Sequence, residues 1–287
     1  MAQATDITAT AETPSGKGAG DENFPVGSFL LPRRLRPHVA TFYAFARAID
    51  DIADNPDLAA AEKIARLDGF DRTLTGQLDE PAYAKAAAIR ASCEATNVPV
   101  QHCRDLITAF KRDAVKIRYA DWADLMDYCR YSAAPVGRYL LDLHGEPPSG
   151  YAASDALCAA LQVINHVQDC QKDYRALDRV YLPEPWLKEH GALVEDLDRP
   201  AASPGVRKVL DRCLDETERL MREAYTLARQ LRSRRLAMES AAIVRLAHTL
   251  IARLRRQDPL AVRVELSKPA LAWVALRGAA GEWLRRL

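Results

Sequence analysis

The sequence predicts an all-α protein, a single-domain helical bundle, on three observations. Apolar residues recur with helical spacing along most of the 287 residues. Val, Ile and Thr never gather into the alternating runs that mark strands. Pro, Gly and Asn fall between the periodic segments, where helices have to stop. At 48% hydrophobic residues, the chain can bury a large core.

The elements follow in order. Residues 1–22 are rich in Ala, Thr, Gly and Ser without periodicity and read as a disordered tail, with the all-α domain over 23–287. GKGAG at 16–20 is glycine-rich, but no strand precedes it and no helix directly follows, so it does not read as a phosphate loop. Pro37 suits the first turn of a helix over 36–54. Further helices are expected over 58–79, 81–95, 99–117, 121–145, 153–175, 204–232, 236–257 and 268–286. The breakers between them are Asn55-Pro56, Glu80-Pro81, Asn97-Val98-Pro99, Gly145 to Pro148, and the stretch from Pro183 to Pro204. Segment 176–203 is long for a connection and is expected to border a cavity mouth. Residues 268–286 set Trp273, Trp283 and several leucines among arginines; a docked helix is the preferred reading, with a membrane-surface helix as the other.

Composition excludes several classes. Net charge is +1, which gives no reason to expect a nucleic-acid partner. The charge is uneven: residues 201–287 hold 18 Lys/Arg against nine Asp/Glu, and residues 1–200 hold 22 against 30, so the two parts carry about +9 and −8. A basic C-terminal third suits anionic lipid or phosphate as well as a solvated helical face. The six cysteines form no CxxC or Cys/His spacing for zinc and read as small buried hydrophobes in a reducing compartment. The six histidines show no ligand spacing; His166, beside Asn165, is expected to point elsewhere and to be structural. With no basic-then-apolar leader pattern and no membrane-length apolar run, the expected location is cytoplasmic.

Two aspartate pairs carry the chemistry. Asp50 and Asp54 lie in YAFARAIDDIAD, and Asp169 and Asp173 in LQVINHVQDCQKDY. Residues four apart on a helix share a face, so each pair aims two carboxylates at one spot. A lone acidic pair is usually a solvated face. These pairs instead sit on largely apolar helices, among Tyr43, Phe45 and Ile49 in the first and Leu161, Val163, Ile164 and Val167 in the second. If the two helices face each other, four carboxylates converge and need protons or cations. Mg²⁺ fits best, because it takes oxygen ligands, keeps waters and recruits substrate phosphates. Asp51 lies about 100° around the helix from Asp50 and is expected behind the pair or facing solvent.

With those residues in view, the chain resembles the squalene/phytoene synthases, the head-to-head branch of the all-α isoprenoid synthases. YAFARAIDDIAD is similar to that family's first aspartate-rich motif, with Tyr43 and Arg47 in place before Asp50 and Asp54. YCRYSAAPVGRYLL resembles its middle signature, with Tyr128 and Val136-Gly137 in register. ALQVINHVQDCQKDYRALDRVYLPEP resembles its second signature, with Asn165, Asp169, Asp173, Arg179 and the YLP at 181–183. There are departures. Gln168 stands where the family usually has Arg, Asn23 where a serine is usual, and Ser132 to Pro135 where small residues and glycine are commoner. These variants resemble the hydroxysqualene synthase subgroup of hopanoid biosynthesis.

The resemblance implies an enzyme that ionises presqualene diphosphate with Mg²⁺ and captures the rearranged cation with water, giving hydroxysqualene and diphosphate. It implies metal binding through Asp50, Asp54, Asn165, Asp169 and Asp173. It places Tyr43 beside these as catalytic, and Arg47, Tyr128, Gln168 and Arg179 on the substrate. Phe42, Phe45 and Tyr131 join Tyr43 and Tyr128 as aromatics that could face the cation. Gln168 and Ser132 are the polar side chains that could hold the water. The implied partners are a prenyl diphosphate, a sister enzyme that supplies it, and peripheral contact with the inner face of a membrane. The alternatives are a squalene or phytoene synthase that condenses two prenyl diphosphates and a non-catalytic assembly-factor relative, which would be expected to lose metal ligands.

Overall fold

A computed structural model describes residues 11–14 and 30–287, and helices account for all of its regular structure. The chain folds as α1 (Arg36–Asp54), α2 (Ala60–Leu74), α3 (Ala84–Thr96), α4 (Gln101–Asp113), α5 (Trp122–Ser132), α6 (Ala134–Leu143), α7 (Tyr151–Leu177), α8 (Glu184–Glu189), α9 (Pro204–Ala224), α10 (Leu227–Gln230), α11 (Arg234–Leu254) and α12 (Lys268–Arg285).

Local chemistry sets the boundaries. Pro37 occupies the first turn of α1 without losing a needed N–H. Asp121 caps α5 by accepting from the Asp124 N–H at 2.8 Å, and Ser203 and Ser233 cap α9 and α11 in the same way. Asn97 ends α3 at φ 55° and Asp178 ends α7 at φ 49°, left-handed turns that these short polar side chains tolerate.

Two expected helices are broken. Residues 121–145 form α5 and α6, because Pro135 has no N–H to continue the ladder and Ala133 leaves helical geometry at φ −120°. Residues 204–232 end as α9 at Ala224, with the short α10 following. Segment 176–203 is also more ordered than expected. It carries α8 and a 3₁₀ turn over Val194–Asp198, and Trp186 is buried and stacked on Trp122 with ring centroids 5.8 Å apart.

Most of residues 1–22 lie outside the described residues, as do GKGAG and Asn23. The four that are described are docked. The Ala11 N–H donates to the Ala82 carbonyl, Glu12 pairs with Lys85, and the Thr13 hydroxyl donates to the Asp51 carbonyl at 3.0 Å.

The core forms where α1 packs on α3 and α4, α4 on α6, and α6 on α7. Phe45, Ile49 and Ile52 of α1 and Ile164 of α7 are fully buried, and Phe42 stacks on Tyr139 of α6 at 3.9 Å. At 27 residues α7 is the longest helix, roughly 40 Å by helical rise. It packs against α5, α6, α9 and α11, so one face of a single helix runs past most of the bundle.

Candidate active site

A cavity of about 740 Å³ opens between α1, α4, α5, α6, α7 and α11. Along α7 it is lined at nearly every turn, by Ser154, Leu157, Leu161, Asn165, Asp169 and Asp173. These span 20 residues, roughly 28 Å of helix, and polarity is graded along them from a mostly apolar inner end to a carboxylate mouth.

All ten residues expected at the site line this one cavity: Tyr43, Arg47, Asp50, Asp54, Tyr128, Asn165, Gln168, Asp169, Asp173 and Arg179. On α1, Arg47 Nη1 lies 2.5 Å from Asp50 Oδ2 and 3.9 Å from Asp51 Oδ1. Asp51 is therefore buried behind the pair and does not face solvent. On α7, Lys172 Nζ sits 3.8 Å from Asp169.

The two pairs sense each other. Burial and the neighbouring Asp54 push Asp50 up to about 8, with Arg47 opposing. Burial, Asp169 and the more distant Asp54 of α1 push Asp173 up to about 7. Among the described residues, no three of His, Cys, Asp and Glu close on one point, so the protein alone builds no complete metal cage. What it presents is two oxygen-only pairs on opposing helices with excess negative charge. That donor set fits Mg²⁺ ions that complete their shells with water and phosphate.

Behind the carboxylates lies a polar hub that sequence reasoning missed. Asp113, at the end of α4, is buried and accepts from Tyr128 Oη at 2.6 Å and Tyr181 Oη at 3.2 Å. Arg179 threads between the halves of the site, donating to Asp54 Oδ1 at 2.7 Å and to the Asp113 carbonyl at 3.0 Å. Burial raises Asp113 to about 6, while Arg179 and Tyr128 pull it down. No local spacing flagged Asp113, because its partners come from α5 and from the chain after α7.

Several side chains sit elsewhere than expected. His166 faces the cavity, stacked on Tyr181 at 3.6 Å, and burial next to Arg179 lowers it to about 3, so it stays neutral. Phe45 packs into the core against Phe70, and Tyr131 lies under the guanidinium of Arg112, so neither lines the cavity. Of segment 176–203, Arg179 and Tyr181 reach the cavity, while α8 packs away against α9.

Two polar groups at the inner wall differ in their engagement. Gln168 Nε2 donates to the Val264 carbonyl at 2.5 Å, which ties segment 263–265 over the cavity. Ser132 is buried on α5 and lines the cavity, and among the described residues its Oγ has no hydrogen-bond partner. From α11, Glu239 and Ser240 also line the wall and are buried.

The squalene/phytoene synthase family model matches residues 18–270. The hydroxysqualene synthase of Rhodopseudomonas palustris is 42% identical over 98% of this chain and 95% of its own, and that of Zymomonas mobilis is 41% identical over 93% and 90%. A 15-cis-phytoene synthase of a Paracoccus species is 31% identical over 91% and 87%. Among solved structures, squalene synthase HpnC from Alicyclobacillus acidocaldarius is similar with a TM-score of 0.69 and 35% identity, covering 81% of this chain and 87% of that one. A dehydrosqualene synthase in complex with a ligand superposes with a TM-score of 0.78 at 19% identity over 93% of each chain, a likeness of fold.

Proposed function

The chain belongs to the squalene/phytoene synthase family, and from that premise we propose that it converts presqualene diphosphate and water to hydroxysqualene and diphosphate. The observation that carries this reading is one cavity with a carboxylate mouth, an apolar interior and a buried hydroxyl without a partner. The four aspartates and Asn165 are the residues that would hold Mg²⁺, which when bound supplies a Lewis acid for the charge growing on the diphosphate oxygens.

The chain's own groups do the rest. Arg47 and Arg179 offer forked donors to phosphate oxygens as the C–O bond breaks and its electron pair leaves with diphosphate. The apolar walls, including Phe42 and Leu161, exclude bulk water from the carbocation that forms. Tyr43 presents a ring to that cation. Tyr128 is less free, because its hydroxyl is committed to Asp113. A neutral His166 adds no competing positive charge beside a carbocation.

Water capture requires one water to be kept while the others are excluded. The Ser132 hydroxyl, buried and without a protein partner, is suited to hold it. Gln168 is less suited, since its amide N–H already serves Val264. Oxygen attacks the rearranged cation and one proton is released, so the atoms balance without a reductant.

Two features weigh against the alternatives. The hydroxysqualene synthases match at higher identity than the phytoene synthase does, and Gln168 replaces a fixed cation that a second diphosphate would use. A non-catalytic relative would have no need of four aspartates lining one cavity. A prenyl substrate of this size is membrane-dissolved, so the reading includes peripheral contact with a membrane.

The deciding experiment is a product assay with purified protein and Mg²⁺ but no NADPH. Presqualene diphosphate should yield hydroxysqualene while farnesyl diphosphate is left intact. Consumption of farnesyl diphosphate to a coupled product would move the assignment to a condensing synthase.

A further inference from the structure

Five of the ten large hydrophobic side chains exposed among the described residues belong to α12 or lie within two residues of its end. They are Trp273, Leu276, Trp283, Leu284 and Leu287, each 49 to 79% exposed. At about 100° of turn per residue these positions fall within a stripe about 100° wide. The helix is not loosely attached. A Cβ on Gly278 would lie 2.7 Å from both the carbonyl oxygen of Ala241 and the Cα of Ala242, so α12 is seated directly on α11 with its small-residue face inward. The apolar stripe is therefore held outward.

A second observation stands beside the stripe. A groove of about 550 Å³ between α10, α11 and α12 is lined by Arg229, Arg245, Arg277 and Arg285. Glu282, also in the groove, is taken by Arg285 and Arg286. Among the described residues, Arg229, Arg245 and Arg277 have no carboxylate within ion-pair distance. Arg277 adjoins the apolar stripe on the helix surface, so the cations and the tryptophans form one continuous face. Most of this helix falls beyond the residues matched by the family model.

We propose that the outer face of α12 and the arginine groove beside it form a docking surface for a bilayer rich in anionic phospholipid. The tryptophans and leucines lie in the interfacial layer, and the three arginines hold lipid phosphates by forked hydrogen bonds. No helix among the described residues is long and apolar enough to cross a membrane, so this contact lies on the surface. A second copy of the chain fits less well, because a two-fold contact would bring the same unpaired arginines together. Segment 263–265, which lines the cavity, leads within three residues into α12, so docking would bring the cavity wall close to the lipid phase. This deepens the reading of a membrane-dissolved substrate and rests on it for its purpose, but its test needs no substrate.

The test is co-sedimentation of the full chain with vesicles of phosphatidylcholine alone or mixed with phosphatidylglycerol. The wild type should pellet with the mixed vesicles and be released by salt. Arg229→Gln/Arg245→Gln/Arg277→Gln should lower partitioning on the order of a hundredfold, at roughly 1 kcal/mol per basic residue. Trp273→Ser/Trp283→Ser should also lower it, with helicity unchanged because both residues are exposed. Turnover of detergent-dispersed substrate should be retained in both variants. That readout separates this proposal from the enzymatic one, since loss of docking with turnover intact leaves the chemistry standing. Wild type that ignores both vesicles, binds both equally, or binds as well after the substitutions would overturn the proposal. So would a wild-type dimer, dissolved by the tryptophan changes, that does not bind lipid.

Discussion

Arg179 Nη1 lies 2.7 Å from Asp54 Oδ1, which joins the chain just after α7 to the last turn of α1 across 125 residues. The first aspartate pair is thus tied to the end of α4, because the same cation also donates to the Asp113 carbonyl. The guanidinium is only 5% exposed. Removing it leaves buried or half-buried carboxylates without compensation.

Arg179→Ala is accordingly expected to destabilise the fold by about 3 kcal/mol, the usual scale for breaking a buried pair from one side. Arg179→Lys keeps the charge but cannot serve Asp54 and Asp113 with one planar fork, so it should recover only part of the loss. Urea unfolding of the three proteins checks this. A midpoint unchanged in Arg179→Ala would mean that the pair only decorates the cavity.

The raised carboxylates predict a pH dependence. Asp50 and Asp173 titrate near 8 and 7 in the folded protein, against 3.8 for an ordinary Asp. Between those values the folded state binds more protons than the unfolded state, so stability is greatest toward the acid side and falls as pH rises through 7 and 8. Metal-free protein should therefore melt at lower temperature at pH 8.5 than at pH 5.5, the two ends of a range of about three units that brackets both groups. Mg²⁺ with inorganic diphosphate should flatten the slope, and Asp50→Asn should flatten it without either. The same melting temperature at both ends in metal-free wild type would remove the electrostatic argument for a cation site.

Loss of one aspartate should also be visible in turnover. Asp54→Asn or Asp173→Asn is expected to lower kcat at least about a hundredfold, because several kcal/mol of leaving-group stabilisation are at stake. The circular dichroism spectrum should not change. Near-wild-type turnover in both variants would place the chemistry elsewhere.

Ser132→Ala tests the water. If the Ser132 hydroxyl holds it, the variant should still ionise presqualene diphosphate but release less hydroxysqualene and more hydrocarbon formed by proton loss. Diphosphate release and product ratio, measured together, separate this role from general damage. An unchanged ratio at reduced rate would show that Ser132 only packs.

Gly137 makes a packing prediction. A Cβ there would lie 2.3 Å from Ser154 Oγ and 2.7 Å from Cys158 Sγ, so α6 approaches α7 through a gap that only glycine leaves. Gly137→Ala should cost about 1–3 kcal/mol as overpacking, and Ser154→Ala should relieve part of it. Thermal melts of the single and double variants measure that coupling.

Much of the site was legible because its chemistry is written in short helical spacings. Asp50 with Asp54, and Asp169 with Asp173, share faces by helix geometry alone, while Asn165 and Arg47 were implied by the family resemblance. Asp113 was not legible. Nothing near it in sequence marks it, and its role comes from Tyr128, Tyr181 and Arg179, up to 68 residues away. The direction of His166 was misjudged for a related reason. Position on the helix gave its direction only roughly, and the stacked Tyr181 ring on the far side of a loop turned it toward the cavity.

The sequence by itself determined the helical class, most helix ends, and the two pairs of carboxylates, since periodicity, capping and proline act over a few residues. It did not determine that both pairs face one cavity, that Arg179 bonds Asp54 and the end of α4, or that, among the described residues, Ser132 is left without a partner while Gln168 is engaged. Those follow from the packing of α1, α5 and the end of α7, and packing depends on contacts between residues that no local pattern relates.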